Sequence, residues 1–152
     1  MAARAKLWVG PIQSREGAMT FGEAVKAGFQ NYVNFTGRAI RSEFWYWALF
    51  VFLVSIATSA IDYALFPEGW VAPISTLVGL AMFLPNLSVT VRRLHDLDRS
   101  GWWVLLALIP IVGMIVLIIW GCTRGTVGPN RFGSDPLVGP VVGTADALRS
   151  TP

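Results

Sequence analysis

Hydrophobic residues in this chain collect in three long runs that short polar segments separate. The runs cover residues 44–66, 70–91 and 102–122. Each reaches the length of about 20 apolar residues that a helix needs to cross the hydrocarbon core of a bilayer. Lipid offers no hydrogen-bond partners to the backbone, so each run is expected to be helical. The pattern therefore predicts an all-α integral membrane protein with three transmembrane helices.

The third run contains a proline near its middle, which leaves two courses open. Pro110 lacks a backbone donor and should kink a helix that contains it. We expect a kinked third span. The alternative is a re-entrant hairpin that turns back at Pro110, with two arms that are each too short to cross the bilayer.

Tryptophan placement supports the boundaries of the three runs. Aromatic rings with a polar edge prefer the level of the lipid head groups. Six of the seven tryptophans lie at the ends of the runs: Trp45, Trp47, Trp70, Trp102, Trp103 and Trp120.

A further helix is predicted over about residues 20–35, ahead of the first run. Thr20 and Glu23 have the spacing of a capping box, in which each side chain accepts from the other residue's backbone N–H. One face of the helix is apolar and carries Phe21, Val25, Phe29 and Tyr32. This pattern favours an amphipathic helix lying in the membrane interface. The alternative is a helix that packs against a partner or against its own bundle.

The domain organisation follows from these elements. Residues 1–19 carry scattered charges and no apolar signal region, so we expect a flexible N-terminal arm. Residues 20–137 form the predicted membrane domain, and the turn-rich residues 138–152 are expected to form a flexible C-terminal tail.

Composition agrees with a protein dissolved in lipid. Residues of the set AVILMFWYC make up 54% and charged residues 14% of the 152 residues, whereas soluble domains carry about 25% charged residues. A soluble chain of this size has too little interior to bury that much apolar surface. The single cysteine, Cys122, excludes an internal disulfide, and with the single histidine, His95, it makes a zinc site unexpected. No cofactor motif and no nucleophile–base spacing is present, so neither a cofactor nor an enzymatic activity is expected.

The charge distribution predicts an orientation. The net charge is +3, and ten of the twelve basic residues are arginine, placed in short clusters beside the apolar runs. This is typical of membrane-flanking charge rather than of a nucleic-acid interface. Most basic residues lie before the first run or between the second and third, so those segments, and the N-terminus, should be cytoplasmic. In a three-span protein Arg124 and Arg131 would lie on the opposite side, against this rule.

Three polar motifs lie around the runs, at residues 37–45 (GRAIRSEFW), 92–103 (RRLHDLDRSGWW) and 125–136 (GTVGPNRFGSDP). In this order and around three spans, they resemble the signature of the domain-of-unknown-function 805 family. The resemblance covers roughly residues 20–137. It implies a small multi-pass protein of the bacterial inner membrane, and it implies no reaction.

The first motif offers a contact to lipid. Arg38 and Arg41 are three residues apart and would share one face of a helix, where their guanidinium groups can hold lipid phosphates. Glu43 can pair with either arginine or with an arginine of the second motif. We expect simple anchoring by positive charge, and specific binding of lipid phosphates is the alternative.

The second motif predicts an ion network at helical spacing. If the second helix continues past Val91, Arg92 and Asp96 are an i,i+4 pair and Asp96 and Arg99 an i,i+3 pair. We expect this network to be structural and to set the turn between helices. The alternative is a proton relay or head-group site with His95 as the titrating member.

The third motif and an isolated acid complete the candidate residues. The glycines and prolines of residues 125–136 predict an ordered loop that folds back onto the bundle, with Arg131 and Asp135 able to pair; its backbone N–H groups also offer an anion site. Asp62 lies near the end of the first run, so it is a candidate intramembrane polar site. We expect it to reach interfacial water and to anchor the helix.

Together these features predict a non-enzymatic accessory or scaffold subunit of the bacterial inner membrane. We expect it to bind lipids, other membrane protein subunits or itself, and no nucleic acid. Candidate lipid or partner contacts are Arg38, Arg41, Arg92, Arg93, Arg99 and Arg131, and candidate members of a structural ion network are Glu43, His95, Asp96 and Asp135. The alternative function is a small homo-oligomeric transporter or channel, with Asp62 or His95 lining its path.

Overall fold

A computed structural model describes residues 18–67 and 72–138. Within those residues the chain is helical and has no β-strand beyond one isolated bridge, between Asn130 and Gly133. The elements are α1 (Phe21–Gln30), α2 (Arg41–Leu65), α3 (Pro73–Asp96), a 3₁₀ helix (Gly101–Leu108) and α4 (Val112–Cys122). The helical class is confirmed. Most of the predicted arm, the connection at residues 68–71 and nearly all of the predicted tail lie outside the described residues.

Helix α1 begins at the predicted capping box. The backbone N–H of Thr20 donates to the Glu23 carboxylate at 2.8 Å, and the N–H of Glu23 donates to the Thr20 hydroxyl at 3.4 Å. The helix ends at Gln30, several residues earlier than expected. The Asn31 side chain donates to the carbonyl of Ala27 at 2.9 Å, which satisfies an acceptor in the last turn.

Helix α1 packs against its own bundle. Ala24 and Gly28 are buried, and Gly28 lies so close to the indole of Trp47 that a Cβ at this position would overlap the ring. Phe29 contacts the edges of Trp47 and Phe50, with ring centroids 5.4 and 5.7 Å apart. From the sequence we expected α1 to lie in the membrane interface, with packing against its own bundle as the alternative. The contacts of α1 are those of the alternative.

Helices α2 and α3 are, among the described residues, the two helices long and apolar enough to cross a membrane. They have 25 and 24 residues, so each helix is longer than the thickness of the hydrocarbon core, which is about 30 Å. Helix α2 begins at Arg41 and α3 continues to Asp96, so both extend into the polar motifs. The charged side chains of those motifs are therefore held on rigid helix ends.

The segment that follows α1 is hydrogen-bonded to α3 close to a proline within that helix. Pro85 has no N–H, so the carbonyl of Ala81, four residues earlier, loses its helical partner. The Tyr32 hydroxyl donates to that carbonyl. One turn further on, the Ser88 hydroxyl lies 2.7 Å from the carbonyl of Asn31 at the end of α1. The proline thus creates an acceptor in α3 that the segment following α1 satisfies.

Residues 102–122 do not form the single transmembrane helix that we expected. The 3₁₀ helix ends at Leu108, Ile109 is extended with ψ of 103°, and α4 starts at Val112. The physical cause is Pro110, because a residue before proline is forced out of the helical region. The rings of Trp103 and Trp120 meet edge to face at 5.8 Å. The two arms are therefore antiparallel, as in the hairpin that was the alternative.

Both arms of this hairpin are short. The 8 residues of the 3₁₀ helix and the 11 residues of α4 each rise about 16 Å, or half of the hydrocarbon thickness. The end of α4 returns to the start of α2, where Arg41 Nη1 lies 3.5 Å from the carbonyl of Cys122. Gly121 packs there against the ring of Phe44. The start of α2, the end of α3 and both ends of the hairpin thus lie at one end of the molecule.

Candidate functional site

The polar end of the bundle gathers charged residues from three segments of the chain. We call the following set the ionic cluster: Arg38, Glu43, Arg92, Arg93 and Asp96. All five side chains are nearly excluded from solvent. Each lies at or next to an end of α2 or α3, so the cluster joins the ends of the two long helices.

Asp96 is the shared anion of the ionic cluster. Its carboxylate accepts from Arg38 Nε at 3.0 Å and from Arg93 Nη1, three residues earlier on α3. Gly125 passes so close to this carboxylate that a Cβ there would overlap it. The glycine of the third motif is therefore required by the close approach of the backbone to Asp96.

Arg93 connects three parts of the chain. Besides the Asp96 carboxylate, its guanidinium contacts the carbonyl of Ala39, ahead of α2, at 3.3 Å. It also donates to the carbonyl of Thr123, just after α4, and lies 3.4 Å from the carbonyl of Trp120. The C-terminal end of a helix carries partial negative charge, so a cation there is favourable. Arg93 thereby holds the returning hairpin against the ends of α2 and α3.

Arg92 and Glu43 form the second ion pair of the cluster. Arg92 Nη1 donates to Glu43 Oε1 at 2.6 Å, between two buried side chains. Glu43 has thus taken an arginine of the second motif, one of the partners that the sequence allowed. Nε and Nη2 of Arg92 are buried and have no partner among the described residues. The pair is an internal link between α2 and α3.

The two pairs predicted from helical spacing are wrong. Arg92 turns to Glu43 of the neighbouring helix, and Asp96 is occupied by Arg38 and Arg93. Arg99 cannot reach Asp96 at helical spacing because α3 ends at Asp96 itself. Its guanidinium instead lies over the ring of Trp120, 4.2 Å from the centroid, as a cation–π contact.

The first motif does not form the shared arginine face that we expected. Arg38 precedes α2, and its guanidinium points inward to Asp96 and to the carbonyl of Gly128, at 2.6 Å. Arg41 is the first residue of α2 and is exposed. Its one described hydrogen bond is the long contact to Cys122. The two arginines therefore have different roles, one internal and one at the surface.

His95 is held by stacking. Its ring lies parallel to the ring of Phe132, at a centroid distance of 3.8 Å and an angle of 3°. Nδ1 lies 3.2 Å from the carbonyl of Gly37. Within the described residues no carboxylate contacts the imidazole, so the partner that a proton relay would need is not in contact with it. The stack on Phe132 had no signal in the sequence, since 37 positions separate the two residues.

The third motif folds back onto the end of α3, as the sequence predicted. The N–H of Thr126 donates to the carbonyl of Asp96 at 2.8 Å. The Asn130 side chain donates to the carbonyl of His95, also at 2.8 Å. The bond from Thr126 satisfies a carbonyl that the end of the helix leaves without a helical partner, and the bond from Asn130 adds a second donor to the His95 carbonyl, which also accepts from the N–H of Asp98. The loop therefore caps α3 and covers the ionic cluster.

The expected pair between Arg131 and Asp135 is not formed. Arg131 donates to Asp98 at 3.0 Å, between two exposed side chains, and this hydrogen bond holds the pKa of Asp98 below its usual value. The buried Asp135 carboxylate accepts from the N–H groups of Leu137, at 3.0 Å, and Gly128, at 2.9 Å. These two bonds lower the pKa of Asp135. Asp135 is thus used to shape the loop.

Asp62 caps a helix, where we expected it to reach interfacial water. Near the end of α2 it is 4% exposed. Its carboxylate accepts from the N–H groups of Ile74, at 3.0 Å, and Ser75, at 2.7 Å. Those groups belong to the first turn of α3, where N–H donors lack helical partners and an anion is favourable. A local sequence pattern cannot show this because the cap comes from another helix.

The site offers no described set of metal ligands. Within residues 18–67 and 72–138, no three side chains of His, Cys, Asp or Glu come together as a metal ion would require. The charged groups described at the polar end are its arginines and the carboxylates of Glu43, Asp96, Asp98 and Asp135, each of which accepts a hydrogen bond.

Two long apolar helices, a short apolar hairpin and one polar end define a small helical membrane protein. The chain belongs to the family described as "Protein of unknown function (DUF805)", which matches residues 32–134. The match contains the whole ionic cluster, the first two motifs and residues 125–134 of the third, so the resemblance drawn from those motifs is confirmed. Helix α1 lies ahead of the matched region.

The chain is also similar to three proteins of Escherichia coli strain K12. The chain is 42% identical to the inner membrane protein YhaH over 116 residues, which cover 73% of the chain and 93% of YhaH. It is 46% identical to the inner membrane protein YhaI over 111 residues, 72% of the chain and 92% of YhaI. It is 28% identical to the uncharacterized protein YiiR over 128 residues, 67% of the chain and 85% of YiiR. No solved structure matches the chain.

Proposed function

We propose that this chain is a non-enzymatic accessory or scaffold subunit of the inner membrane. It presents apolar helix faces to neighbouring membrane proteins and a basic end to lipid head groups. The observation that carries the proposal is the separation of its surfaces. The described ionic side chains of the cluster are used in internal contacts at one end, whereas α2 and α3 carry large exposed apolar residues: Phe52, Leu53, Ile56, Leu77, Leu80 and Phe83. Such faces suit lipid or another transmembrane helix.

The alternative, a homo-oligomeric transporter or channel, has less support, because the two residues proposed to line its path make internal contacts. Asp62 is bound to the start of α3, and His95 is stacked on Phe132. An ion path needs polar groups that remain available to the ion. The described contacts of Asp62 and His95 are instead those of structural residues.

The orientation that we propose has the polar end in the cytoplasm. Excess Lys and Arg mark the cytoplasmic side of a membrane protein. Because 102–122 turns back as a hairpin, Arg124 and Arg131 come to the same end as Arg38 and Arg41. The conflict that a third span creates is thereby removed, which supports two spans and one re-entrant hairpin.

Photo-crosslinking in intact membranes tests the accessory function. A photoreactive aromatic residue replaces Leu80, which is exposed on α3, or Phe52, which is exposed on α2. We expect a discrete adduct from one of these positions to another membrane protein subunit, identified by mass spectrometry and purified with the chain in mild detergent. The same residue at the buried Trp47 is the control and should give no intermolecular adduct.

The opposite result would favour the transporter. If the exposed positions crosslink only to a second copy of the chain, and the purified protein conducts ions in vesicles, the accessory function is wrong. Flux should then change in Asp62→Asn or in His95→Gln, since these are the two residues that would line a path through the bundle.

A further inference from the structure

A cavity of about 500 Å³ lies beside the ionic cluster, between the start of α2 and the loop after α4. Its charged lining residues are Arg38, Arg41, Arg93, Arg124, Asp96 and Asp135. Four cations therefore face two anions. Both anions are already occupied, Asp96 by two arginines and Asp135 by two backbone N–H groups. The cavity has an excess of positive charge.

Two of the four arginines have hydrogen-bonding capacity to spare. Arg38 donates from Nε to the Asp96 carboxylate and from its other two nitrogens to the carbonyls of Gly128 and Thr126. Arg124 makes no hydrogen bond or ion pair to the described residues, and Arg41 makes one contact, at 3.5 Å. Both are exposed and line the cavity. A guanidinium with free N–H groups binds phosphate through two parallel hydrogen bonds.

Two further features of the lining favour an anion. Ile40, Arg41 and Ser42 line the cavity at the start of α2, and no side chain caps this helix. The N–H groups of its first turn have no helical acceptor, and the helix dipole is positive there. In addition, Arg93 lines the cavity, is 2% exposed, and has an Nε without a partner among the described residues.

An aromatic cavity adjoins the cationic one. Its volume is also about 500 Å³, and it is lined by Arg41, Ser42, Trp45, Tyr46 and Cys122. The two cavities share Arg41 and Ser42. Trp and Tyr rings prefer the level where lipid head groups meet acyl chains. A ligand with a phosphate at one end and an apolar part at the other fits both cavities together.

We propose that this paired cavity is a binding site for a phosphate group, carried by an anionic phospholipid. Arg41 and Arg124 hold the phosphate, the free N–H groups at the start of α2 complete its shell, and Trp45 and Tyr46 receive the glycerol and the first part of the acyl chains. Asp96 and Arg93 form the floor. The site rests on the proposed function only in placing this end at a membrane surface.

Native mass spectrometry on the purified full chain in detergent tests the site. The protein is titrated with phosphatidylglycerol, with phosphatidylcholine of the same acyl chains, and separately with inorganic phosphate. Phosphatidylglycerol should bind tighter than phosphatidylcholine. The double variant Arg41→Gln/Arg124→Gln should weaken phosphatidylglycerol binding by roughly tenfold or more, because each arginine supplies charge-assisted hydrogen bonds.

The matched control removes two cations outside the cavity, in Lys26→Gln/Arg131→Gln, and should bind as the wild type does. Arg124→Gln alone breaks no described hydrogen bond, so it keeps the fold and should still weaken binding several-fold. If inorganic phosphate competes with the lipid in an Arg41- and Arg124-dependent manner, the phosphate site stands and the source is soluble. Equal losses in both double variants, or no loss in either, would overturn the proposal. Because binding is measured on the isolated chain, the absence of a partner subunit would leave it standing.

Discussion

At the scale of single residues, Asp96 is the anion that two buried arginines of the polar end share. Its carboxylate holds Arg38 and Arg93, and its carbonyl accepts from Thr126 of the returning loop. Buried charges lose their hydration, and a shared, hydrogen-bonded counter-ion offsets that loss. Because two buried cations depend on one anion, the effect of removing the anion differs from the effect of removing either cation.

The substitution Asp96→Ala should lower the free energy of unfolding by about 3–5 kcal/mol, because it leaves two buried arginines unpaired. Arg38→Gln should cost less, since Asp96 then keeps Arg93. The measurement is chemical or thermal unfolding of the purified protein in detergent micelles. Asp98→Ala is the matched control: it breaks an exposed pair with Arg131 and should change stability little. An Asp96→Ala protein as stable as the control would show that the cluster adds nothing to the fold.

The sequence predicted which residues form the polar site better than it predicted their partners. Helical spacing paired Asp96 with Arg92 and Arg99, but Asp96 binds Arg93, which is also at helical spacing, and Arg38, which is 58 positions away. Spacing alone does not choose between neighbouring arginines on one helix, and it does not include a partner from another part of the chain. In the same way, Asp62 caps a helix that begins after a connection. Contacts of this kind depend on tertiary packing, which one sequence pattern does not encode.

At the scale of elements, Tyr32 after α1 donates to the carbonyl of Ala81, which Pro85 leaves without its helical donor. Tyr32→Phe removes the donor to the Ala81 carbonyl and should lower the free energy of unfolding by about 1 kcal/mol. Tyr46→Phe serves as control because the Tyr46 hydroxyl makes no hydrogen bond to the described residues. Unfolding in detergent, followed by tryptophan fluorescence, measures both variants.

A second substitution shows whether the loss of stability in Tyr32→Phe comes from the missing hydrogen bond to the Ala81 carbonyl or from a general packing defect. Pro85→Ala restores the N–H that α3 lacks, so the Ala81 carbonyl regains its helical partner. In that background Tyr32→Phe should cost clearly less than in the wild type, and the double-mutant cycle should show this coupling. Equal costs in both backgrounds would contradict the role assigned to the tyrosine.

Element boundaries were predictable where hydropathy and caps agree, as at the capping box of α1. The long apolar runs at 44–66 and 70–91 correspond to α2 and α3, whose polar ends extend further than the runs themselves. The run at 102–122 passes the same length test, although it is a 3₁₀ helix and a short α-helix. The length and hydropathy of an apolar run do not show whether the chain continues straight through the bilayer or reverses its direction. The turn at Pro110 was therefore predicted only as an alternative.

For the whole molecule, the hairpin makes a prediction about sidedness. In a Cys122→Ser background, single cysteines at Ser100 and Val127 should both react only from the cytoplasmic side, and one at Glu68 only from outside. Val127 is exposed and makes no described side-chain hydrogen bond, so a cysteine is tolerated there. Labelling with a membrane-impermeant maleimide, in intact cells and in inverted vesicles, measures this. Reaction of position 127 from outside intact cells would contradict the hairpin and support a third transmembrane span.

The separation in sequence between Arg38 and its partners sets an order for biogenesis. Arg38 leaves the ribosome 58 residues before Asp96 and 90 residues before Gly128, so it is made before either partner exists. In the proposed orientation, Arg38 would stay hydrated at the cytoplasmic surface until Asp96 is made. The hairpin would then enter and leave the membrane on that same side, so no charge of the cluster would cross it. A chain truncated before Thr123 would deprive Arg93 of one of its carbonyl acceptors, and we expect it to be a target for membrane quality-control proteases.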